Sequence, residues 1–237
     1  MMLPKVSVIL TSYNRPKLLK EAVDSVLLQS LKDWELIVVD DDSSAPEVQS
    51  YLHALETTKA RIPIIRRKLS LGEDREATCR YCGSINIGLE IAGGEYITYL
   101  TDDDYYMQSR LEIMSRFLDA NIEAHVVYGR QQVLAMSPNG WKSVGIRMTV
   151  GKTRDVICKV DHNSFMHRRT CLNILAKPYW PENPELWHDG DTGFFAKLIQ
   201  HWNFWPIEMV LDVHRVHPNQ VQTRINNKLS PVYTEEL

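Results

Sequence analysis

The chain has 237 residues, enough to bury a sizeable core in one large domain or two small ones. Charged residues are 24% of the total, the formal net charge is −3 and the pI is about 6.2, which argues against a nucleic-acid-binding protein because such proteins usually carry a strongly basic balance. No run reaches the ~20 apolar residues of a membrane-spanning helix, and residues 1–10 lack the order of a signal peptide. We therefore expect a cytoplasmic protein with no transmembrane segment, peripheral to the membrane if its substrate is lipid-linked.

Predicted strands and helices alternate through the first hundred residues. The strands are short, continuously apolar segments of the kind buried on both faces of a parallel sheet, and the helices carry apolar residues at helical spacing. The predicted strands are residues 5–10, 35–40, 62–67 and 95–100, and the predicted helices are residues 15–30, 46–57 and 74–92. This alternation is typical of a doubly wound parallel sheet, so the first half is interpreted as a nucleotide-binding α/β unit.

The regular pattern weakens in the second half. The predicted elements here are a helix at residues 108–119, a strand at 124–130, a hairpin at 132–146, a helix at 190–202 and an extended segment at 204–213. Residues 214–237 show no strong pattern and are predicted to be a C-terminal loop or tail. No linker composition separates the halves, so we expect a single domain over residues 1–237.

The four cysteines do not form a convincing metal site. Cys79 and Cys82 make a C-x-x-C pair on a predicted helix, but Cys158 and Cys171 are too far apart in sequence to complete a zinc site. We interpret the pair as small buried side chains.

Polar and acidic residues follow each predicted parallel strand. They are Thr11 to Asn14 after the first strand, Asp40 to Ser43 after the second, Arg66, Arg67, Asp74 and Arg75 after the third, and Thr101 to Asp104 after the fourth. The carboxyl ends of parallel strands meet at one edge of a sheet, where ligands of such folds bind. The sequence therefore predicts a ligand site at this edge.

The crowded aspartates Asp102, Asp103 and Asp104 point to a divalent cation. The segment after the first strand, 11-TSYNRP-16, has no glycine, so neither a G-x-G-x-x-G loop nor a P-loop is present to cradle phosphates. A cation held by carboxylates is the other physical solution for a bound diphosphate, and it also relieves the repulsion among adjacent aspartates. Hard oxygen ligands suit Mg²⁺ or Mn²⁺.

Four segments together carry a family resemblance. They are 6-VSVILTSYNRP-16, 35-ELIVVDDDSS-44, 94-GEYITYLTDDD-104 and 187-WHDGDTGFF-195. Their combination resembles the family 2 glycosyltransferases of the GT-A fold, most closely the spore-coat polysaccharide type. The likeness is strong over about residues 3–110 and recognisable at 161–168 and 187–195.

The resemblance implies the architecture of the whole chain. The GT-A fold is an α/β fold with a single Rossmann-like, mostly parallel sheet flanked by helices and a mixed acceptor-side subregion. Residues 1–104 would bind the nucleotide sugar, residues 105–213 would bind the acceptor, and residues 214–237 would be the tail. The reaction implied is inverting transfer of a sugar from a nucleoside-diphosphate sugar by a single displacement that depends on a divalent metal.

The resemblance also implies which residues hold the nucleotide. Thr11 and Tyr13 would flank the base, with Tyr13 stacking on it. Asp41 would accept a hydrogen bond from a pyrimidine N3–H, which favours UDP or dTDP over CDP. Arg75 would lie near the base or the diphosphate, and Arg80 is a further candidate.

In the acidic triplet, the resemblance assigns Asp102 to the ribose and Asp103 to the metal. The family's triplet usually begins with Asp where this chain has Thr101. A D-x-D pattern read over residues 102–104 would instead make Asp104 the metal ligand, so Asp104 stays an alternative.

Inversion by direct displacement requires a base that takes the proton of the acceptor hydroxyl. The acidic candidates in the second half are Asp161, Glu182, Glu185, Asp189 and Asp191. The resemblance selects Asp191, in 190-GDTGFF-195, with Asp189 as its nearest competitor. A carboxylate at a helix N-terminus is also favoured in its charged form.

Three further residues are weaker candidates. His214 and His217 would supply a metal or phosphate contact, and Trp187 would stack on a sugar ring. The expected partners are the nucleoside-diphosphate sugar and an acceptor that is a sugar or a lipid-linked glycan; a homodimer is left open. Two alternatives are a nucleotidyltransferase, which normally has a glycine-rich basic loop, and a catalytically silent sugar-nucleotide-binding subunit, which would lack the base.

Overall fold

A nine-stranded sheet forms the centre of the part of the chain that the computed structural model describes, which is residues 3–58, 62–69, 79–183 and 189–220. Its strands are β1 (Val6–Ser12), β2 (Trp34–Asp40), β3 (Ile64–Arg66), β4 (Tyr96–Thr101), β5 (Tyr105–Tyr106), β6 (Val126–Ser137), β7 (Gly140–Arg147), β8 (Phe165–Arg168) and β9 (Phe204–Val216). The spatial order is β3-β2-β1-β4-β8-β6-β9-β5, with β7 paired to β6.

The first half is the predicted doubly wound unit. β1 pairs in parallel with β2 and β4, and β2 pairs in parallel with β3. Every residue of β1 is buried, which matches a parallel strand covered by helices on both faces. The predicted α/β fold class is thereby confirmed.

Five α-helices flank the sheet in the described residues. They are α1 (Pro16–Leu27), α2 (Pro46–Thr58), α3 (Arg80–Ile91), α4 (Arg110–Ala120) and α5 (Gly190–Leu198), with a short 3₁₀ helix at Arg169–Asn173. Pro16 occupies the first turn of α1, where its missing N–H is not needed. The predicted helix at residues 74–92 is described only from Arg80, because residues 70–78 lie outside the described part.

The second half is mixed rather than parallel. β8 runs antiparallel to both β4 and β6, whereas β9 runs parallel to β6. The predicted hairpin is confirmed as β6 and β7, which pair antiparallel across the turn after Ser137. β8 was not predicted, since its four residues lie within a segment rich in polar side chains.

β9 is longer than the predicted extended segment at residues 204–213. It runs to Val216, so His214 and Arg215 belong to the sheet, and the prediction that the loop begins at residue 214 is wrong for these positions. The physical reason is pairing with β6, whose register continues as far as Ala135 opposite Val216. The predicted helix at residues 190–202 is shorter than expected and ends at Leu198.

The sheet separates two cores. One contains the buried faces of α1, α2 and α4, with residues such as Leu19, Val48 and Leu111. The other is aromatic and lies beneath α3 and α5, where Tyr99 and Trp180 meet Phe194. None of the helices in the described ranges has the length and apolar character needed to cross a bilayer.

Candidate active site

The loop that leaves β4 begins the site. The Tyr13 backbone N–H donates to Asp102 Oδ2 at 2.8 Å, and Arg15 Nη1 lies 2.7 Å from Asp102 Oδ1 and 3.3 Å from Asp103 Oδ2. Asp102 is 2% exposed and Asp103 is 7% exposed. Arg15 therefore neutralises charge on two adjacent buried carboxylates. This pairing offsets part of the repulsion among Asp102, Asp103 and Asp104.

The two carboxyl groups respond differently to this environment. Burial raises the pKa of Asp102 to about 6, although Arg15 opposes the rise. Burial would also raise the pKa of Asp103, but Arg15 and His217 together outweigh it and hold that pKa well below its usual range. His217 Nε2 lies 3.3 Å from Asp103 Oδ2. Asp103 is therefore the more acidic member of this pair.

Asp104 is turned into the protein. Its Oδ1 accepts the Arg215 backbone N–H at 2.8 Å, and its Oδ2 accepts the Asn163 amide at 2.7 Å and lies 3.0 Å from His214 Nδ1. Asn163 also accepts the Thr101 N–H at 2.9 Å, so it holds the end of β4 and Asp104 together. Burial raises the pKa of Asp104 against the opposing effect of His214. Both oxygens of Asp104 are thus occupied by protein donors.

Asp104 belongs to a group of three side chains that could hold a metal ion. One ligand atom each of Asp104, Asp161 and His214 lies within 4.8 Å of the others. Burial alone would lower the pKa of His214. The negative charges of Asp104 and Asp161 outweigh burial and raise this pKa to about 9. Burial alone would raise the pKa of Asp161. The positive charges of His214, His162 and Arg147 outweigh burial, so the pKa of Asp161 is strongly lowered.

Asp191 lies in the first turn of α5. Its Oδ1 accepts the Thr192 N–H at 2.9 Å. Burial raises the pKa of Asp191, His162 lowers it and Asp161 raises it further, so all three side chains are within electrostatic reach of one another. Asp189, the competitor, already accepts the Thr192 hydroxyl at 2.5 Å.

The N-terminus of α5 is held against α3 by very close packing. A Cβ at Gly190 would lie 2.0 Å from Cys82 Sγ and 2.8 Å from Cys79 Sγ, and the Gly190 N–H donates to Tyr81 Oη at 2.7 Å. Cys79 and Cys82 are buried free thiols, as predicted. Their role is steric, because they form the surface on which the turn carrying Asp191 rests.

At the end of β2, Asp41 is bound by Arg80. The Arg80 Nε donates to the two Asp41 carboxylate oxygens at 3.0 and 2.9 Å. Thr11 is 9% exposed, and its carbonyl accepts the Asp102 N–H at 3.1 Å. The predicted site residues Arg75 and Trp187 lie outside the described residues.

The structure thus places most of the predicted site residues close to one another. It also shows several residues at the site that the sequence did not single out. Tyr13, Asp102 and Asp103 meet at the end of β4, and Asp104 connects them through Asp161 to Asp191. The additions are Arg15, His162, Asn163 and Arg215. Arg15 and Asn163 stand inside segments already noted for their resemblance, 11-TSYNRP-16 and 161-DHNSFMHR-168, which is the only signal that could have found them.

Comparison with known proteins identifies the family. The model of Glycosyl transferase family 2 matches residues 7–175, which is more than half of the chain. The chain belongs to glycosyl transferase family 2. Its likeness to protein CgeD of Bacillus subtilis is 36% identity over 225 residues, covering 92% of this chain and 51% of that protein. The family resemblance expected from the sequence is confirmed.

A second relative has a more specific name. The chain is 32% identical over 175 residues to the Escherichia coli UDP-Glc:alpha-D-GlcNAc-diphosphoundecaprenol beta-1,3-glucosyltransferase WfgD, covering 73% of this chain and 64% of that enzyme. The chain therefore spans about half to two thirds of the length of these curated relatives.

A solved structure confirms the fold. Residues 1–349 of Staphylococcus aureus TarS, in complex with UDP-GlcNAc, superpose with a TM-score of 0.72 at 19% identity, covering 91% of this chain and 60% of that one. This family 2 chain therefore has the GT-A fold.

The side chains at this edge fit the divalent cation that the family resemblance implies. Carboxylate oxygens and neutral imidazole nitrogens are ligands that Mn²⁺ accepts, and carboxylates also suit Mg²⁺. Two sets of such atoms are present: Asp103 with His217, and Asp104 with Asp161 and His214. In the second set, both oxygens of Asp104 already accept hydrogen bonds from the protein and its side chain is 1% exposed, whereas the side chain of Asp103 keeps 10% of its surface exposed.

Proposed function

We propose that this chain transfers a sugar from a UDP- or dTDP-sugar to an acceptor hydroxyl with inversion at the anomeric carbon. The observation that carries the proposal is the continuous series of carboxylates from Asp102 and Asp103, at the end of β4, to Asp191, at the start of α5. One end of this series suits a nucleoside diphosphate and the other suits an acceptor hydroxyl. The UDP-sugar named for WfgD and the UDP-GlcNAc bound by TarS support the choice of donor.

On the donor side, residues at the ends of β1, β2 and β4 bind the nucleotide. Tyr13 stacks on the base beside Thr11, Asp41 accepts the N3–H of the pyrimidine, and Asp102 accepts a ribose hydroxyl. Asp41 can do this while Arg80 holds it, because each carboxylate oxygen has two lone pairs. Arg75 is proposed to lie close to the base or diphosphate.

Asp103 is the proposed metal ligand, with His217 beside it, and Mn²⁺ or Mg²⁺ is the proposed ion. When bound, the cation would neutralise charge on the leaving diphosphate. Asp103 is preferred to Asp104 because the pKa of Asp103 is held well below its usual range, whereas that of Asp104 is raised, and because its side chain is 10% exposed against 1% for Asp104.

Asp191 is the proposed base. It takes the proton of the acceptor hydroxyl while the hydroxyl oxygen bonds to the anomeric carbon and the bond to the nucleoside diphosphate breaks on the opposite face, which gives inversion. Burial raises the pKa of Asp191, and a stronger base transfers the proton more effectively at neutral pH. Thr192 and the helix N-terminus orient its carboxylate.

The proposed acceptor is a sugar or a lipid-linked glycan of cell-surface polysaccharide synthesis. The diphosphoundecaprenol acceptor in the name of WfgD supports the lipid-linked form. A cytoplasmic chain that works peripherally at a membrane fits such an acceptor.

The substitution Asp191→Asn tests this function. It keeps the size of the side chain and removes the base, so we expect transfer to fall by about 10²–10⁴-fold. UDP affinity, measured by calorimetry with Mn²⁺ present, should stay at the wild-type value.

Asp189→Asn is the matched control, because it changes the neighbouring carboxylate and can still accept the Thr192 hydroxyl. It should retain most of the activity. Near-normal transfer by Asp191→Asn together with loss of transfer in Asp189→Asn would move the base to Asp189. Near-normal transfer by both variants would place the base on neither carboxylate, whereas UDP binding without any transfer by the wild type would favour a chain that only binds sugar nucleotides.

A further inference from the structure

Residues 146–154, which begin in β7, expose every second side chain. Ile146, Met148 and Val150 are 48%, 53% and 47% exposed, and Lys152 and Arg154 continue the alternation as exposed cations. We call these five residues the exposed series. Single exposed apolar residues are ordinary on a protein surface, but three at alternate positions, followed by two cations, make an ordered amphipathic feature.

The residues between them, Arg147, Thr149, Gly151 and Thr153, are half-buried, and three of the four have polar side chains. Arg147 lies 3.2 Å from Asp161 in the candidate site, and the Thr149 hydroxyl donates to Glu208 at 2.7 Å. The usual arrangement of an exposed edge, with apolar side chains inside and polar ones outside, is therefore reversed in this segment. The apolar side chains of the exposed series do not serve the core.

The charge around the exposed series is mostly positive, and the two exposed acidic residues beside it, Asp155 and Glu208, are paired with Lys159 and Arg130. Residues 124–154 contain five Lys and Arg residues and no Asp or Glu, although the whole chain has a net charge of −3. Two of the five, Arg130 and Arg147, are paired with Glu208 and Asp161. Lys152 lies over the Trp205 ring and Arg154 donates to backbone carbonyls, so both keep their positive charge without an acidic partner among the described ion pairs.

We propose that the exposed series is a docking surface for an anionic lipid bilayer. A few apolar side chains that enter the headgroup region, together with cations that meet lipid phosphates, are the two components of peripheral membrane binding. A stable protein interface usually needs about 20–30 residues on each side, far more than this narrow segment supplies. The missing acidic residues also favour a negatively charged surface over a second copy of this acidic chain.

Docking here would bring the acceptor side of the site close to the lipid. Arg147 stands between two members of the exposed series and contacts Asp161, which is within electrostatic reach of Asp191. The acceptor class that follows is a lipid-linked one, and this consequence, unlike the docking surface itself, rests on the proposed function.

Vesicle sedimentation tests the docking surface without any sugar transfer. We expect the wild-type chain to sediment with phosphatidylcholine vesicles that contain about 30% phosphatidylglycerol, and to be released at about 0.5 M NaCl, where charges are screened within a few ångströms. Pure phosphatidylcholine vesicles should bind it at least about tenfold less, because each nearby cation contributes roughly a fivefold factor to binding of an anionic surface.

Two variants separate the apolar and the charged contributions. The triple variant Ile146→Ser, Met148→Ser, Val150→Ser should lose at least about tenfold in binding to the anionic vesicles. The double variant Lys152→Gln, Arg154→Gln should lose about twenty- to thirtyfold. The matched control is Leu28→Ser, Ile122→Ser, Ile174→Ser, which removes exposed apolar side chains elsewhere (64%, 83% and 60% exposed) and should bind as the wild type does.

Wild-type levels of vesicle binding in the triple variant would overturn the proposal. So would a wild-type dimer in analytical ultracentrifugation that the triple variant converts to a monomer, because the exposed series would then bind a second copy. Unchanged UDP binding in each variant shows that the fold and the donor site are intact. A failure of docking is then distinct from a failure of the proposed transfer reaction.

Discussion

Ion pairs in the two halves of the fold lie in different environments. In the first half, residues 1–104, Arg15–Asp102 and Arg80–Asp41 lie at the carboxyl ends of strands, where the Arg15 side chain is 15% exposed and the Asp41 side chain 11%. In the second half, Arg110 and Asp212 join α4 to β9 and are 0% and 1% exposed. The first two pairs therefore border the candidate site, whereas the third is enclosed by the fold.

The buried ion pair Arg110–Asp212 is part of a larger hydrogen-bonded network. Arg110 donates to Thr98 Oγ1 at 3.0 Å and to the Asn163 carbonyl at 2.6 Å, and its guanidinium lies 3.8 Å from the centre of the Tyr106 ring. Asn163 in turn holds Asp104. The position of Asp104 therefore depends, through Asn163, on a buried cation outside the candidate site.

The largest effect predicted from this comparison is that of Arg110→Met. The substitution leaves Asp212 buried without its cation, and breaking a buried pair in this way costs about 3–5 kcal/mol of unfolding free energy. Arg116→Met, on the same helix, removes an ion pair whose arginine side chain is 77% exposed, and it should cost about 1 kcal/mol or less because water can solvate the Glu112 carboxylate that remains. Urea unfolding of both variants measures the difference; equal losses would contradict the distinction between exposed and buried pairs.

The second effect is a pH dependence that arises at His167 in β8. The ring is fully buried, with Tyr99 Oη 2.8 Å from Nε2 and the Arg168 carbonyl 2.9 Å from Nδ1, so a neutral ring has both nitrogens satisfied. Burial lowers the pKa of His167 to about 4 from its ordinary 6.5. The unfolded chain therefore binds the proton more tightly than the folded chain.

Because the folded pKa is the lower one, the stabilisation is complete above pH ~6.5 and is lost as the pH falls towards about 4. The full loss is about 3 kcal/mol. Urea unfolding between these limits should show a flatter pH dependence for His167→Leu than for wild type. His53→Leu, whose side chain is 75% exposed in the first half, is the control and should follow the wild-type slope. Identical slopes for all three proteins would contradict the assignment.

The smallest of the stability effects is that of Asp104→Asn. An amide nitrogen would face either the Arg215 N–H or the donors from Asn163 and His214, and an unsatisfied buried donor costs about 1–3 kcal/mol. Asp103→Asn should cost less than Asp104→Asn, because the Asp103 side chain is 10% exposed against 1% for Asp104 and because the substitution also relieves repulsion with Asp102. Thermal unfolding that ranks the two variants in the opposite order would contradict the difference in their environments.

The two halves also differ in how far the sequence predicts them. The first half follows local rules: buried parallel strands are continuously apolar, helices have a 3.6-residue period, and ligands lie where strands end, so β1, β2, β4 and the residues after them could be predicted. β8 could not, because its four residues are a strand only through pairing with β4 and β6. The same holds for the last residues of β9, which the partner strand β6 keeps extended.

Within the site, residue types were predictable and their partners were not. Asp103 and Asp104 are chemically identical neighbours, and the difference between them comes from Arg15, His217, Asn163 and Arg215, which are distant in sequence. The contact between Gly190 and Cys82 depends in the same way on how α5 meets α3. Such pairings are long-range packing outcomes that no local pattern encodes.

The measurement that tests the central claim most directly is calorimetry of UDP binding with and without Mn²⁺, on wild type, Asp103→Asn and Asp104→Asn. Donor binding at the end of β4 predicts that Mn²⁺ strengthens UDP binding in the wild type. Asp103→Asn should remain fully folded and lose at least about tenfold of that strengthening. Asp103→Asn that still binds UDP with wild-type affinity and wild-type Mn²⁺ dependence would contradict the account.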